Sequence, residues 1–137
     1  MKVLPTARIL LVDSQAERRA STRIALTTFG VGAVMEADCL PEVGASDTDL
    51  PADILIVQAD DPEHVPDNPF RDGGKLPAIL IADVPPASLG RTASRAGYDA
   101  ALDTPLAPRL LYRRIGSVLQ RSRRSGRPAA AVAAPAA

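Results

Sequence analysis

The sequence predicts an α/β domain: a doubly wound, parallel five-stranded sheet with helices on both faces. Three observations carry this. Short aliphatic runs and helical segments alternate five times along the chain, the pattern that gives parallel strands joined by right-handed crossovers. The clearest runs, at 8–12, 53–57 and 78–82, are almost wholly apolar rather than alternating, as strands covered on both faces are. The chain is 46% hydrophobic but only 3% aromatic, with no Trp, so its core has to be built from Val, Ile, Leu and Ala. A length of 137 residues suits one domain.

The first strand spans 8–13 and ends in Asp13. Ser14 and Glu17 then have the spacing of a capping box that opens a helix. That helix runs to about Thr28, with Ala20 and Ile24 on its inner face, and Phe29 and Gly30 close it. A weaker strand covers 31–36. Residues 39–50 contain Pro41, Gly44 and several acids, and predict a short, poor second helix. The third strand covers 53–57 and leads into Gln58. Between 60 and 76, Pro62, Pro66, Pro69 and the pair Gly73 and Gly74 exclude a third helix of normal length. That connection is expected to be short in helix and mobile, a place where a partner could dock.

The fourth strand covers 78–82. The fourth helix spans 88–96, with Leu89, Ala93 and Ala96 inward and Gly97 as its stop. The fifth strand is 98–102. Pro105 or Ala107 opens the last helix, whose buried stripe is Leu111, Ile115, Val118 and Leu119, leaving Arg109, Arg113, Arg114 and Arg121 in water. After Ser122 the composition turns to Arg, Ser and Gly, then Pro and Ala. The folded domain is therefore set at 1–122, with a disordered tail or linker at 123–137.

Gln58 carries the most functional information. In an open α/β sheet, chemistry is done at the carboxyl ends of the strands, and Gln58 ends the third. Its neutral amide can donate and accept hydrogen bonds but cannot attack a phosphoryl group as a carboxylate does. Other features exclude function classes. Cys39 is the only cysteine and His64 the only histidine, so neither an internal disulfide nor a His/Cys metal cluster is expected. The N-terminus has no leader pattern and no run approaches a membrane span, which predicts a cytoplasmic protein. Net charge is zero, but seven arginines and no acid lie between Arg109 and Arg127, whereas nearly every charge between 36 and 72 is acidic, with Arg71 the only base. An acidic face and a basic end follow.

These runs resemble the receiver domain of two-component response regulators, a flavodoxin-like (βα)5 fold, over roughly 7–122. The matching stretches are 8–13, Glu36 with Ala37, 52–57, 76–81, and 96–99 running on to 102–106. The resemblance implies a set of phosphorylation-site positions, most of them altered. An acidic pair that holds magnesium after the first strand is Asp13 and Ser14 here. The phosphoacceptor aspartate corresponds to Gln58. The Ser or Thr that ends the fourth strand is Ala82, the switch aromatic is Ala101, and the lysine before the proline is Thr104, ahead of Pro105. The resemblance thus implies a degenerate member, a pseudo-receiver, with no cofactor, no metal and no catalysis.

Each residue also has a plainer reading. Asp13 is either a residual metal ligand or an acid that stabilises the following helix N-terminus; Ser14 is explained as a helix N-cap. Asp60 and Asp61, in the loop past the third strand, are displaced phosphoacceptor candidates that lack a lysine partner. His64 reads as an exposed loop residue. The pair Gly73 and Gly74 lacks the Lys-Ser or Lys-Thr of a phosphate loop. Arg121, Arg123, Arg124 and Arg127 lack the stacking aromatics of a nucleic-acid surface. The family's partner face, formed by the fourth helix, fifth strand and fifth helix, would carry Arg91, Arg95, Arg109, Tyr112 and Arg113. The expected function is a phosphorylation-independent signalling module that acts on a histidine kinase, a phosphotransfer protein or a second copy. The alternative is a regulatory or dimerisation domain of a longer protein, with an output domain after the tail. No membrane partner is expected.

Overall fold

The computed structural model describes residues 6–40, 52–70 and 76–124. The strands are β1 (Arg8–Val12), β2 (Ala33–Ala37), β3 (Ile54–Gln58), β4 (Ala78–Ile81) and β5 (Ala100–Leu102); the helices are α1 (Ala16–Phe29), α2 (Pro86–Arg95) and α3 (Pro108–Arg124). All strand pairs are parallel, in the order β2-β1-β3-β4-β5. This is the doubly wound five-stranded sheet that the alternating runs predict.

Strand side chains alternate between the two faces. Ile9, Leu11, Ile54, Ile56, Ile79 and Ile81 meet Leu26 of α1 and Leu111, Ile115 and Val118 of α3. Leu10, Val12, Leu55, Val57 and Leu80 meet Leu89 and Ala93 of α2, together with Phe70, Leu76 and Tyr98. The central strands β3 and β4 are buried at every position, which is why their sequences carry no polar alternation. The sheet is braced at the β1 and β3 entries by Asp53, which accepts the Arg8 backbone N–H at 2.8 Å and pairs with its guanidinium at 3.3 Å.

Several local expectations change. On α1 the inward residues are Thr22 and Leu26, whereas Ile24 is 55% exposed. A shift of two residues turns a helix by about 200°, so Ile24 faces away from the Thr22 and Leu26 stripe. The helix ends as expected at Gly30, whose φ of 109° and bonds from Gly30 N–H to Thr27 and from Val31 N–H to Leu26 form a left-handed cap. The last helix opens at Pro108, not Pro105 or Ala107, and continues to Arg124, two residues past the expected domain edge at 122. Of the short second helix expected over 39–50, residues 41–50 lie outside the described residues, as do the tail from 125 and Gly73 and Gly74.

Between β3 and β4 the described residues contain turns and no helix, as the prolines dictate. Residues 66–70 are nonetheless bonded into the fold. Asn68, 2% exposed, donates from Nδ2 to the Gly97 carbonyl and accepts the Phe70 N–H, both at 2.9 Å, and its own N–H reaches the Ala96 carbonyl at 2.8 Å. The Tyr98 hydroxyl donates to the Pro66 carbonyl at 2.8 Å. Burial, with Asp67 nearby as a lesser cause, pushes the Tyr98 hydroxyl well above its ordinary pKa, so it stays a donor. The segment is irregular but pinned over α2's face of the sheet. Among the described residues no helix is long and apolar enough to cross a membrane.

Candidate functional site at the carboxyl edge of the sheet

β1, β3 and β4 deliver their last residues to one edge. Val12 pairs with Val57, and Gln58 with Ile81, so Asp13, Gln58 and Ala82 emerge side by side. Asp13 is 1% exposed and Gln58 8%. Beside them lies a cleft of about 510 Å³ lined by Arg18, Gln58, Asp60, Asp83, Thr104 and Pro105, among others. Ala82 is fully buried next to it, bonded from its N–H to the Leu102 carbonyl at 3.1 Å. The edge therefore gathers Asp13, Ser14, Gln58, Ala82 and Thr104. Ala101 lies elsewhere, on the groove between α2 and α3.

The organising residue is one that the sequence did not single out. Arg18 sits in the first turn of α1, and helical side chains lean back toward the N-terminus. Its Nε donates to Asp13 Oδ2 at 2.8 Å, and its Nη2 to Asp13 Oδ1 at 2.5 Å and to Asp60 Oδ1 at 2.7 Å. Both Asp13 oxygens are thus engaged by one planar fork, which suits a guanidinium and not an ammonium. The two carboxylates push the Arg18 guanidinium pKa further above its ordinary value, Asp13 foremost. Asp13 Oδ1 also accepts the Gln15 N–H at 3.0 Å. Asp13 therefore stabilises the start of α1 directly.

The capping box does not form. Gln15, not Ser14, is the N-cap, and its own side chain makes no capping bond. The Ser14 hydroxyl donates instead to Asp60 Oδ2, while Gln15 Nε2 reaches Asp60 Oδ1 at 3.3 Å. Asp60 is consequently not a free acid on a moving loop but the hub that ties β3's exit to α1. Ser14, then Arg18, hold its carboxyl below the usual aspartate range. Asp61 is turned away, accepting the Glu63 N–H at 3.0 Å and facing His64 at 2.6 Å on the surface. Farther along α1, Arg19 and Arg23 grip Glu36 of β2 at 2.9 and 2.5 Å, and Arg19 more than Arg23 lowers its pKa.

These shifts have one sign. A carboxyl whose folded pKa is lowered contributes stability that is present above its unfolded pKa, about 4, and lost as pH falls through the folded value. Asp60, Asp61 and Glu36 all fall in this class. The thermal midpoint should hold from neutrality down to about pH 4 and drop below it. A midpoint unchanged between pH 5 and pH 2 would show that these contacts add nothing.

The resemblance to receiver domains implies a divalent cation at this edge, and the donor set does not fit one. Magnesium needs several hard oxygen ligands. Both oxygens of Asp13 are taken by Arg18, Gln58 offers only a neutral amide, and a dication would lie against a guanidinium.

The expected partner surface needs correction. Arg109 and Tyr112 do not share a face with Arg91 and Arg95. The Arg109 guanidinium lies 5.6 Å from the Phe29 ring centre and the Tyr112 ring 5.4 Å from it, so both turn toward α1. Arg114 and Arg121, seven residues and two turns apart, lie on the other flank of α3. There they line a groove of about 550 Å³ with Leu89, Gly90, Ala93 and Ala101. Arg91, Arg95 and Arg113 are exposed. Periodicity placed α3's buried stripe correctly but not which flank each arginine would take.

The architecture now has counterparts. A CheY-like response regulator receiver domain protein from Methanospirillum hungatei superposes with a TM-score of 0.62 at 21% identity, covering 88% of this chain and 98% of that one. The chain has the receiver fold. A protein described as related to pilus assembly, from Burkholderia pseudomallei, gives 0.61 at 20% identity, with 88% and 95% covered. NtrX from Brucella abortus, solved with ATP, gives 0.66 at 18% identity over 87% of this chain but only 28% of its own. No protein-family model and no curated protein matches the sequence.

Proposed function

We propose that this chain is a phosphorylation-independent receiver-like module, a pseudo-receiver without enzymatic activity, that regulates a partner protein by contact. The observation that carries the reading is Gln58. It is the last residue of β3, 8% exposed, at the edge where the fold presents its chemistry. An amide cannot form an acyl phosphate, Thr104 brings no positive charge, and the Arg18 guanidinium on the cleft is already engaged by Asp13 and Asp60. Asp60, the nearest alternative acid, is engaged by Ser14, Gln15 and Arg18. Signalling then rests on shape and surface charge. The groove of Leu89, Ala93 and Ala101 rimmed by Arg114 and Arg121 offers a partner both apolar and directional contact.

The test is incubation with acetyl phosphate and magnesium, read by intact mass. No phosphoryl adduct is expected, and beryllofluoride should leave the amide spectrum unchanged. A stoichiometric adduct on Asp60 or Asp61 would overturn the reading. A second reading, a regulatory domain of a longer protein with an output region, is favoured by the NtrX likeness, which spans only 28% of that chain.

A further inference from the structure

We propose that Arg18 is a resident cation at the carboxyl edge: its guanidinium bridges Asp13 and Asp60, fixes the edge in one arrangement and excludes divalent cations from it. One nitrogen, Nη2, lies 2.5 Å from Asp13 Oδ1 and 2.7 Å from Asp60 Oδ1. A single positive centre thus joins the ends of β1 and β3, as a metal shared by two carboxylates would. Nε holds the second Asp13 oxygen at 2.8 Å, leaving that buried carboxylate no oxygen without a charged donor. Asp60 is also engaged by Ser14 and Gln15, so both acids are held by groups from the start of α1.

The consequence is permanence. A bound ion can leave, exchange or be displaced by a ligand, whereas a guanidinium on the first turn of a helix is tethered and remains charged at any physiological pH. An edge that needs no ion and releases none has no ion-linked second state. The fork also gives the buried Asp13 a countercharge from the chain itself. Removing the guanidinium leaves Asp60, a glutamine oxygen and the exposed Asp83 on the cleft, with the freed carboxylate of Asp13 beside it, all of them hard oxygen donors.

The inference rests on the proposed lack of phosphoryl chemistry only for its meaning in signalling. Phosphoryl uptake is read by mass and cation exclusion by magnetic resonance, so either can fail alone. The experiment is a Mn²⁺ titration of ¹⁵N-labelled full chain, read as paramagnetic loss of amide peak intensity. The wild type should keep the peaks of Asp13, Ser14, Gln58 and Ala59 at full intensity through the titration. Arg18→Gln should lose them selectively, and adding Asp13→Asn to that variant should return them. Selective loss in the wild type, or none in a folded Arg18→Gln, would overturn the proposal. Should Arg18→Gln fail to fold, the wild type still decides. The Arg18 Nε–H should give a slowly exchanging resonance at neutral pH, where the exposed Arg91 does not; equal exchange of the two would overturn it.

Discussion

Arg18→Gln is expected to lower the unfolding free energy by about 2–4 kcal/mol, below the full cost of breaking a buried ion pair because the guanidinium is partly in water. Asp13 is the reason for the size. Its side chain is 1% exposed, against 32% for Arg18, so loss of the cation strands a desolvated carboxylate. A glutamine can return one neutral hydrogen bond but not the charge. Urea unfolding of the single variants and of Arg18→Gln with Asp13→Asn separates the pair from its surroundings. The double variant should be more stable than the sum of the single losses, because it leaves no buried charge unpaired. A coupling below about 0.5 kcal/mol would mean that the two residues act independently.

The fold was legible because its signal is local. β1, β3 and β4 read as apolar runs, and α2 and α3 as stripes such as Leu89 and Ala93 or Leu111 and Ile115, since burial on one or both faces writes itself into neighbouring residues. The carboxyl edge was legible in part. Gln58 could be counted from Asp53, and Thr104 and Ala82 follow from strand ends. Arg18 could not be found this way. Its role depends on Asp60, 42 positions away, which reaches it only because β1 lies beside β3 in the register Val12 to Val57. The same approach defeats the capping box: Ser14 has the right neighbour at Glu17, yet its hydroxyl is drawn to donate to the Asp60 carboxylate and the helix starts one residue later, with Gln15 as N-cap. The arginine face failed for a different reason. Exposure can be read from periodicity, but which neighbour a long side chain leans toward is set by packing, here by the Phe29 ring.

Asn68→Ala is expected to cost about 2–3 kcal/mol, although it changes one polar residue in a proline-rich connection. Such a residue reads as solvent-exposed, and only its position two before Phe70 hinted otherwise, since asparagine commonly accepts the N–H two residues on. The substitution removes the partners of the Gly97 carbonyl and of the Phe70 N–H. Phe70 is 7% exposed, so its amide cannot easily turn to water. The loss should spread to the packing of Phe70 and Tyr98 against the α2 face, where among the described residues α2 is the one helix that shares the load. Hydrogen exchange localises the effect: the Phe70 amide should lose its protection, while those of Ile9 and Leu11 on the opposite face keep theirs until global unfolding. Asn68→Asp separates the two bonds, because it keeps an acceptor for Phe70 but turns a carboxylate toward the Gly97 carbonyl, and it should be at least as damaging as alanine. If Asn68→Ala melts like the wild type and the Phe70 amide already exchanges freely, the connection is mobile after all and the pinning is without energetic weight.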